Sequence, residues 1–166
     1  MPALSKSIND ALNAQIALEL SSAHIYLSMS AYSTAQNLPG AAHWLRLQWT
    51  EELGHATKLI DYIGERGGSV TLGAIDEPVA QFDSPTDLFQ QVLAHEEKVT
   101  VAINEIYGLC ISEGDYVSLT LLQWYANEQV EEENSASEVL AMLSRAGDSG
   151  PGILLVDRHL AQRAGG

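Results

Sequence analysis

The sequence predicts an all-α fold: a four-helix bundle with one long crossover and a short fifth helix near the C-terminus. Three observations predict it. The prolines at positions 2, 39, 78, 85 and 151 leave long proline-free segments between them, which suit helices. Inside these segments apolar residues recur at steps of three and four, while alternation of period two is absent over any useful length. Residues 68–83 carry no helical pattern, yet are long enough to run the length of a bundle, so the second and third helices should lie parallel.

The elements follow in order. The first helix is expected over residues 5–36, with Ile8, Leu12, Ile16, Glu19, Ala23 and Tyr26 on one face. The second, over 41–66, carries Leu45, Trp49, Glu52, His55, Ala56, Leu59 and Ile63 on its stripe. The Gly67-Gly68 pair should stop it. The third, over 86–112, starts at Ser84-Pro85-Thr86-Asp87, with proline early and an acid in the first turn. Its stripe is Phe89, Val92, Glu96, Val99, Ile103, Ile106 and Cys110. The fourth, over 115–146, has the expected stripe Leu121, Tyr125, Glu128, Glu132, Ser135, Val139 and Met142, and should stop at Gly147. Each of these helices would be about 40 Å long at about 1.5 Å per residue. A short fifth helix is expected over 153–163, and residues 1–166 are expected to form a single domain, with the bundle over about 5–146.

Composition narrows the partners. With 166 residues and 46% hydrophobic content the chain can bury a sizeable core. Its net charge of −14, from 22 acidic and 8 basic residues, leaves no basic patch for nucleic acid or for an anionic membrane. Cys110 is the one cysteine, which fits a reducing cytoplasm and excludes an internal disulfide. No apolar run approaches 18 residues and the N-terminus does not read as a signal peptide, so a cytoplasmic location is expected.

Chemistry is read from polar residues on stripes that should be apolar. Glu52-Leu53-Gly54-His55 places a carboxylate and an imidazole on one helix face. Glu19, Glu96 and the pair Glu128/Glu132 put carboxylates on the stripes of the other three long helices. Unpaired buried carboxylates are costly, and a cation relieves several at once. Oxygen-rich ligands with one imidazole suit iron and carboxylate-bridged ion pairs. Two Fe(II) ions would balance the charge of Glu19, Glu52, Glu96 and Glu132. Di-iron bundles commonly carry two Glu-x-x-His motifs. Here the second position reads Glu128-Gln129-Val130-Glu131, so an asymmetric site is expected, with one metal position lacking nitrogen.

These residues resemble the ferritin family, specifically the bacterial non-haem ferritins. The resemblance rests on Glu51-Glu52-Leu53-Gly54-His55-Ala56, on His95-Glu96, and on the run from Leu122 to Glu132, and it extends over nearly the whole chain. It implies a ferroxidase that oxidises Fe(II) with dioxygen or peroxide and stores ferric mineral inside a homo-oligomeric shell of 24 subunits. It implies that Glu19, Glu52 and His55 hold the first iron, that Glu52 bridges, and that Glu96 and Glu132 hold the second. Gln129 matches a glutamine beside the site, Tyr26 a tyrosine next to the centre, and Glu51, Glu128 and Glu131 a third iron site. Leu53 stands where bacterioferritins place a haem-ligating methionine, so haem is not expected. Leu119 and Leu122 replace the acidic pair that lines the three-fold pores of animal heavy chains, which leaves Glu113 and Asp115 as acids near the turn. A small-molecule di-iron oxidase would be expected to keep the second Glu-x-x-His, and a structural subunit would not need the full ligand set.

Overall fold

The computed structural model describes residues 3–164; Met1, Pro2, Gly165 and Gly166 lie outside the described residues, and with them the first of the punctuating prolines. Five helices follow one another: α1 (Lys6–Ala35), α2 (Pro39–Glu65), α3 (Pro85–Glu113), α4 (Tyr116–Ala146) and α5 (Gly150–Leu160). No strand occurs among the described residues.

Local chemistry sets the ends. Ser5 caps α1 by accepting from the Ile8 amide at 3.2 Å, and Ser84 caps α3 by accepting from the Asp87 amide at 3.0 Å. Pro85 opens α3, as Pro39 opens α2, where a missing amide proton costs nothing. α3 closes on Gly114 in the left-handed region at φ 71°, which glycine adopts without strain. The fifth helix begins three residues before its expected start. Ser149 accepts from the Gly152 amide at 3.3 Å, so Pro151 belongs to the first turn rather than to the preceding loop. It ends at Leu160, short of the expected 163.

The crossover lies along α1. Near the start of α1, Asn9 and Asn13 bond the backbone of Ser69 and Thr71; near its end, the Tyr32 hydroxyl donates to the Phe82 carbonyl at 2.7 Å. The segment after α2 therefore climbs the full length of α1 before α3 begins, and α2 and α3 run parallel, as the sequence predicts.

The bundle interior is layered. One apolar cluster joins Tyr26, Met29, Trp44, Leu45, Phe89, Val139 and their neighbours to Val156 and Leu160 of α5. A second, at the other end, joins Ile8, Leu12, Ile16, Leu59, Ile63, Ile103, Leu122 and Tyr125. Between them lies a buried polar slab containing Gln15, Glu19, Gln48, Glu52, His55, Glu96, Gln129 and Glu132.

The face of α4 differs from the expected one. Tyr125, Glu132 and Val139 are buried as expected, but the seam continues through Ser118, Leu122, Gln129, Ala136 and Leu143. Leu121, Glu128, Ser135 and Met142 are half-buried at its edge. Both sets keep steps of three and four, so periodicity alone admits either rotation. α1 packs mainly on α2 and α3 on α4, whereas no Cα of α2 comes within 8 Å of one in α4 among the described residues. That open side carries the groove described below.

Candidate metal centre

The polar slab is assembled by helical spacing. Glu19 lies one turn after Gln15 on α1, and Glu52 and His55 lie one turn apart on α2. Ligand atoms of Glu19, Glu52 and His55 all fall within 4.8 Å of one another. His55 Nδ1 stands 3.5 Å from Glu52 Oε2, longer than a good hydrogen bond. Among the described residues, no hydroxyl, amide or basic group donates to Glu19 Oε2 or Glu52 Oε2; only a proton shared between the two carboxyls bridges them. Buried acceptors normally find donors, so this pair of oxygens is one that a cation could satisfy.

The other half comes from α3 and α4. Glu96 Oε1 accepts from the Tyr26 hydroxyl, and Glu96 Oε2 accepts from Gln129 Nε2 at 3.2 Å. Glu132 Oε2 accepts from Gln48 Nε2 at 2.7 Å. The structure therefore gathers Glu19, Tyr26, Glu52, His55, Glu96, Gln129 and Glu132 into one buried slab, all expected from the sequence. It groups Glu19, Glu52 and His55 most tightly, and holds Glu96 and Glu132 on neutral donors.

The electrostatics follow from crowding acids away from water. Burial, and then the neighbouring Glu52, lifts the Glu19 carboxyl well above the usual range. Burial and the charge of Glu96 do the same to Glu52. Burial also raises Glu96, against the opposing hydrogen bonds from Tyr26 and Gln129. Glu132 is pushed up to about 7 by burial and then by Glu96. The Tyr26 phenol is lifted by burial and by the same carboxylates. A cation bound among these carboxyls would favour their ionised forms.

Beside the slab, between α2 and α4, lies an open groove of about 740 Å³. Its walls include Glu51, Glu128 and Glu131, the three residues expected for a third site, together with His55 and Glu132. Glu51 and Glu128 are half-buried and Glu131 is exposed. Glu51 is already engaged: its Oε2 accepts from Arg163 Nη2 at 2.8 Å. Two residues of this region escape the sequence reading. Gln48 is fully buried in the slab, where the expected stripe had placed Trp49, which is half-buried. The steps Leu45, Gln48, Glu52, His55 were the available signal. Arg163, beyond α5, gives no local signal, since only the docking of α5 brings it here.

Remaining candidates resolve into packing and clamping. Trp124 stacks edge-on against His55 at 5.4 Å and carries Lys58 at 4.1 Å over its ring. Half-buried His95 pairs with Ser22 Oγ at 2.7 Å, and burial, then Lys98, lowers it to about 4. His24 is exposed, and His43 Nε2 lies 2.9 Å from the Arg163 carbonyl. The acids near the α3–α4 turn are occupied: Glu113 accepts from Ser5 and Ser7, and Asp115 from Ser118 and, at 3.1 Å, Arg66. Leu122 is buried in the core. A Cβ at Gly54 would meet nothing within 4 Å, so close helix approach does not explain that glycine.

A helical bundle with one long crossover, burying acids from all four long helices in its middle, defines a class of carboxylate-lined bundles suited to hard or borderline cations. The family model described as ferritin-like domain matches residues 9–146. A bacterial non-heme ferritin of Bacteroides fragilis is 36% identical over 160 residues, covering 96% of this chain and 99% of that protein. One from Escherichia coli O157:H7 is 37% identical over 150 residues, covering 90% and 91%. Among solved structures, an open-pore ferritin from Archaeoglobus fulgidus superposes with a TM-score of 0.96 at 41% identity, covering 98% of this chain and all of that one. The chain belongs to the ferritin family.

Proposed function

We propose that this protein stores and detoxifies iron, oxidising Fe(II) with dioxygen or peroxide at the slab and depositing ferric mineral inside a homo-oligomeric shell of 24 subunits. The observation that carries the reading is the close grouping of Glu19, Glu52 and His55 in a buried slab of raised carboxyls, with Glu19 Oε2 and Glu52 Oε2 given no donor but a shared proton. Iron is substrate here. Glu19, Glu52 and His55 take the first ferrous ion, Glu52 bridges, and Glu96 and Glu132 take the second. Binding expels the protons those acids hold. Two Fe(II) then give two electrons to one O2, which with two protons leaves as hydrogen peroxide and two Fe(III). Carboxylates favour the higher charge, so the slab stabilises the product as it forms.

The surrounding residues have separate work. Tyr26 and Gln129 orient Glu96, so that acid can turn toward an ion without losing both partners, and Gln48 orients Glu132. Glu51, Glu128 and Glu131 form an outer position along the groove, through which product moves on. Leu53 offers no axial ligand, and the reading leaves haem out. The exposed Tyr116 on α4, with Leu154 and Leu155 on α5, are apolar surface of the kind that subunit contacts cover.

A timed Fe(II) soak followed by anomalous scattering at the iron edge tests the reading. Iron should lie against Glu19, Glu52 and His55 first, and stopped-flow absorbance should show oxidation within the same interval. Iron found only on surface acids would overturn it. Sedimentation should give a mass near that of 24 chains; a stable monomer would remove the storage role.

A further inference from the structure

Arg163 holds two acceptors at once. Its Nη2 donates to Glu51 Oε2 at 2.8 Å and its Nη1 to Gln48 Oε1, while the guanidinium lies 4.7 Å from the Trp44 ring centre. Both charged side chains remain reachable from the groove, with exposures of 23% and 25%. The other basic residue lining that groove, Lys58, is drawn over Trp124 instead. The positive charge at the Glu51 position is thus supplied by the chain.

We propose that Arg163 is a resident cation of the outer metal position, which an incoming metal ion must displace from Glu51. The inference rests on the reading of the slab as a metal centre. An arginine stays charged at any accessible pH, so it cannot leave by losing a proton. Its departure has to be driven by a competing cation. Displacement is also felt inside. Gln48 is fully buried, and its amide is oriented by its two partners: Oε1 accepts from Arg163, so Nε2 faces Glu132 Oε2 at 2.7 Å. With Arg163 gone, the Gln48 amide is free to turn and Glu132 loses its fixed donor. Filling of the outer position is thereby linked to the freedom of an inner ligand.

Redox-inactive Zn(II) separates the parts of this statement. Assembled, metal-free protein is titrated calorimetrically and then crystallised with Zn(II), for the natural sequence, Arg163→Ala and Arg163→Lys. Zinc is expected at Glu19, Glu52 and His55 in all three. The position on Glu51 should bind about fivefold more tightly in Arg163→Ala, the loss of one partly exposed ion pair, and Arg163→Lys should fall between. In the zinc-loaded natural protein the guanidinium should have left Glu51. Unchanged outer affinity in Arg163→Ala, with the inner position filled, overturns the proposal alone. So does zinc seated on Glu51 with Arg163 still bonded there, a result that needs no variant to fold. An inner position empty in the natural protein overturns the reading of the slab and the proposal with it. α5 is fastened independently by Val156, Leu160 and the bond from the Ala41 amide to Asp157 at 2.8 Å, so the variants are expected to assemble.

Discussion

Acidic side chains drawn away from water at the end of the bundle and in its middle are handled in opposite ways. At the end of the bundle, Asp115 meets Arg66, whose side chain is 5% exposed, and the Ser118 hydroxyl. Burial pushes the Asp115 carboxyl up, but these partners more than offset it and hold it below the usual range. In the middle of the bundle, Glu19, Glu52, Glu96 and Glu132 are all raised, and the described residues give Glu19 Oε2 and Glu52 Oε2 no counter-charge and no donor beyond a shared proton. Where the acid serves the fold, the chain supplies the counter-charge. Where it is withheld, the fold carries a standing cost that a cation bound there would relieve.

The largest test of that contrast is Glu52→Ala. Removing the proposed bridging acid should slow rapid Fe(II) oxidation by about a hundredfold or more in stopped-flow, while the metal-free melting temperature holds or rises. A fall in both would place Glu52 with the structural acids.

The metal-free protein should next respond to pH in a definite direction. A carboxyl whose folded pKa is raised keeps its proton in the folded state and loses it sooner when unfolded. Stability is then full at low pH and declines as pH rises through the folded value. For Glu132 the window runs from the ordinary 4.5 up to about 7, worth on the order of 3 kcal/mol. Calorimetric melting between pH 5 and pH 8 should therefore fall, and saturating Zn(II) should flatten the slope. A metal-free melting curve that rises over that range would break the distinction.

At the other place the sign reverses, because Asp115 stabilises only when charged. Asp115→Ala should cost about 2 kcal/mol in denaturant unfolding, less than a fully buried pair because it lies at the bundle's end. Oxidation by the assembled variant should be unchanged. The smallest effect belongs to Gly54→Ala, expected to add up to about 1 kcal/mol of stability, since a methyl there meets nothing.

Much of this was legible in the sequence, for a physical reason. Helical spacing is rigid, so Glu19, Glu52, His55 and Glu96 could be placed on buried faces from their steps alone. The crossover was legible because residues 68–83 lack the pattern their neighbours keep. The face of α4 was harder. Its seam through Leu122 and Gln129 and the expected one through Leu121 and Glu128 share Tyr125, Glu132 and Val139, and packing decides between them. Ser149 as the cap of α5 moved that helix three residues earlier than expected. Contacts made across the chain, such as Arg163 on Gln48 and Glu51, leave no trace in local spacing.

The open side between α2 and α4 has a mechanical consequence. α1 with α2, and α3 with α4, form two hairpins, and the buried acids divide evenly across the seam between them: Glu19 and Glu52 on one, Glu96 and Glu132 on the other. On the proposed reading, ions held by both sets would act as rivets through that seam. A parting of the hairpins along the open α2–α4 side is then the motion that loading would suppress. Amide exchange along α2 and α4 would read iron content as stiffness, and an empty shell would be the more vulnerable one to proteases.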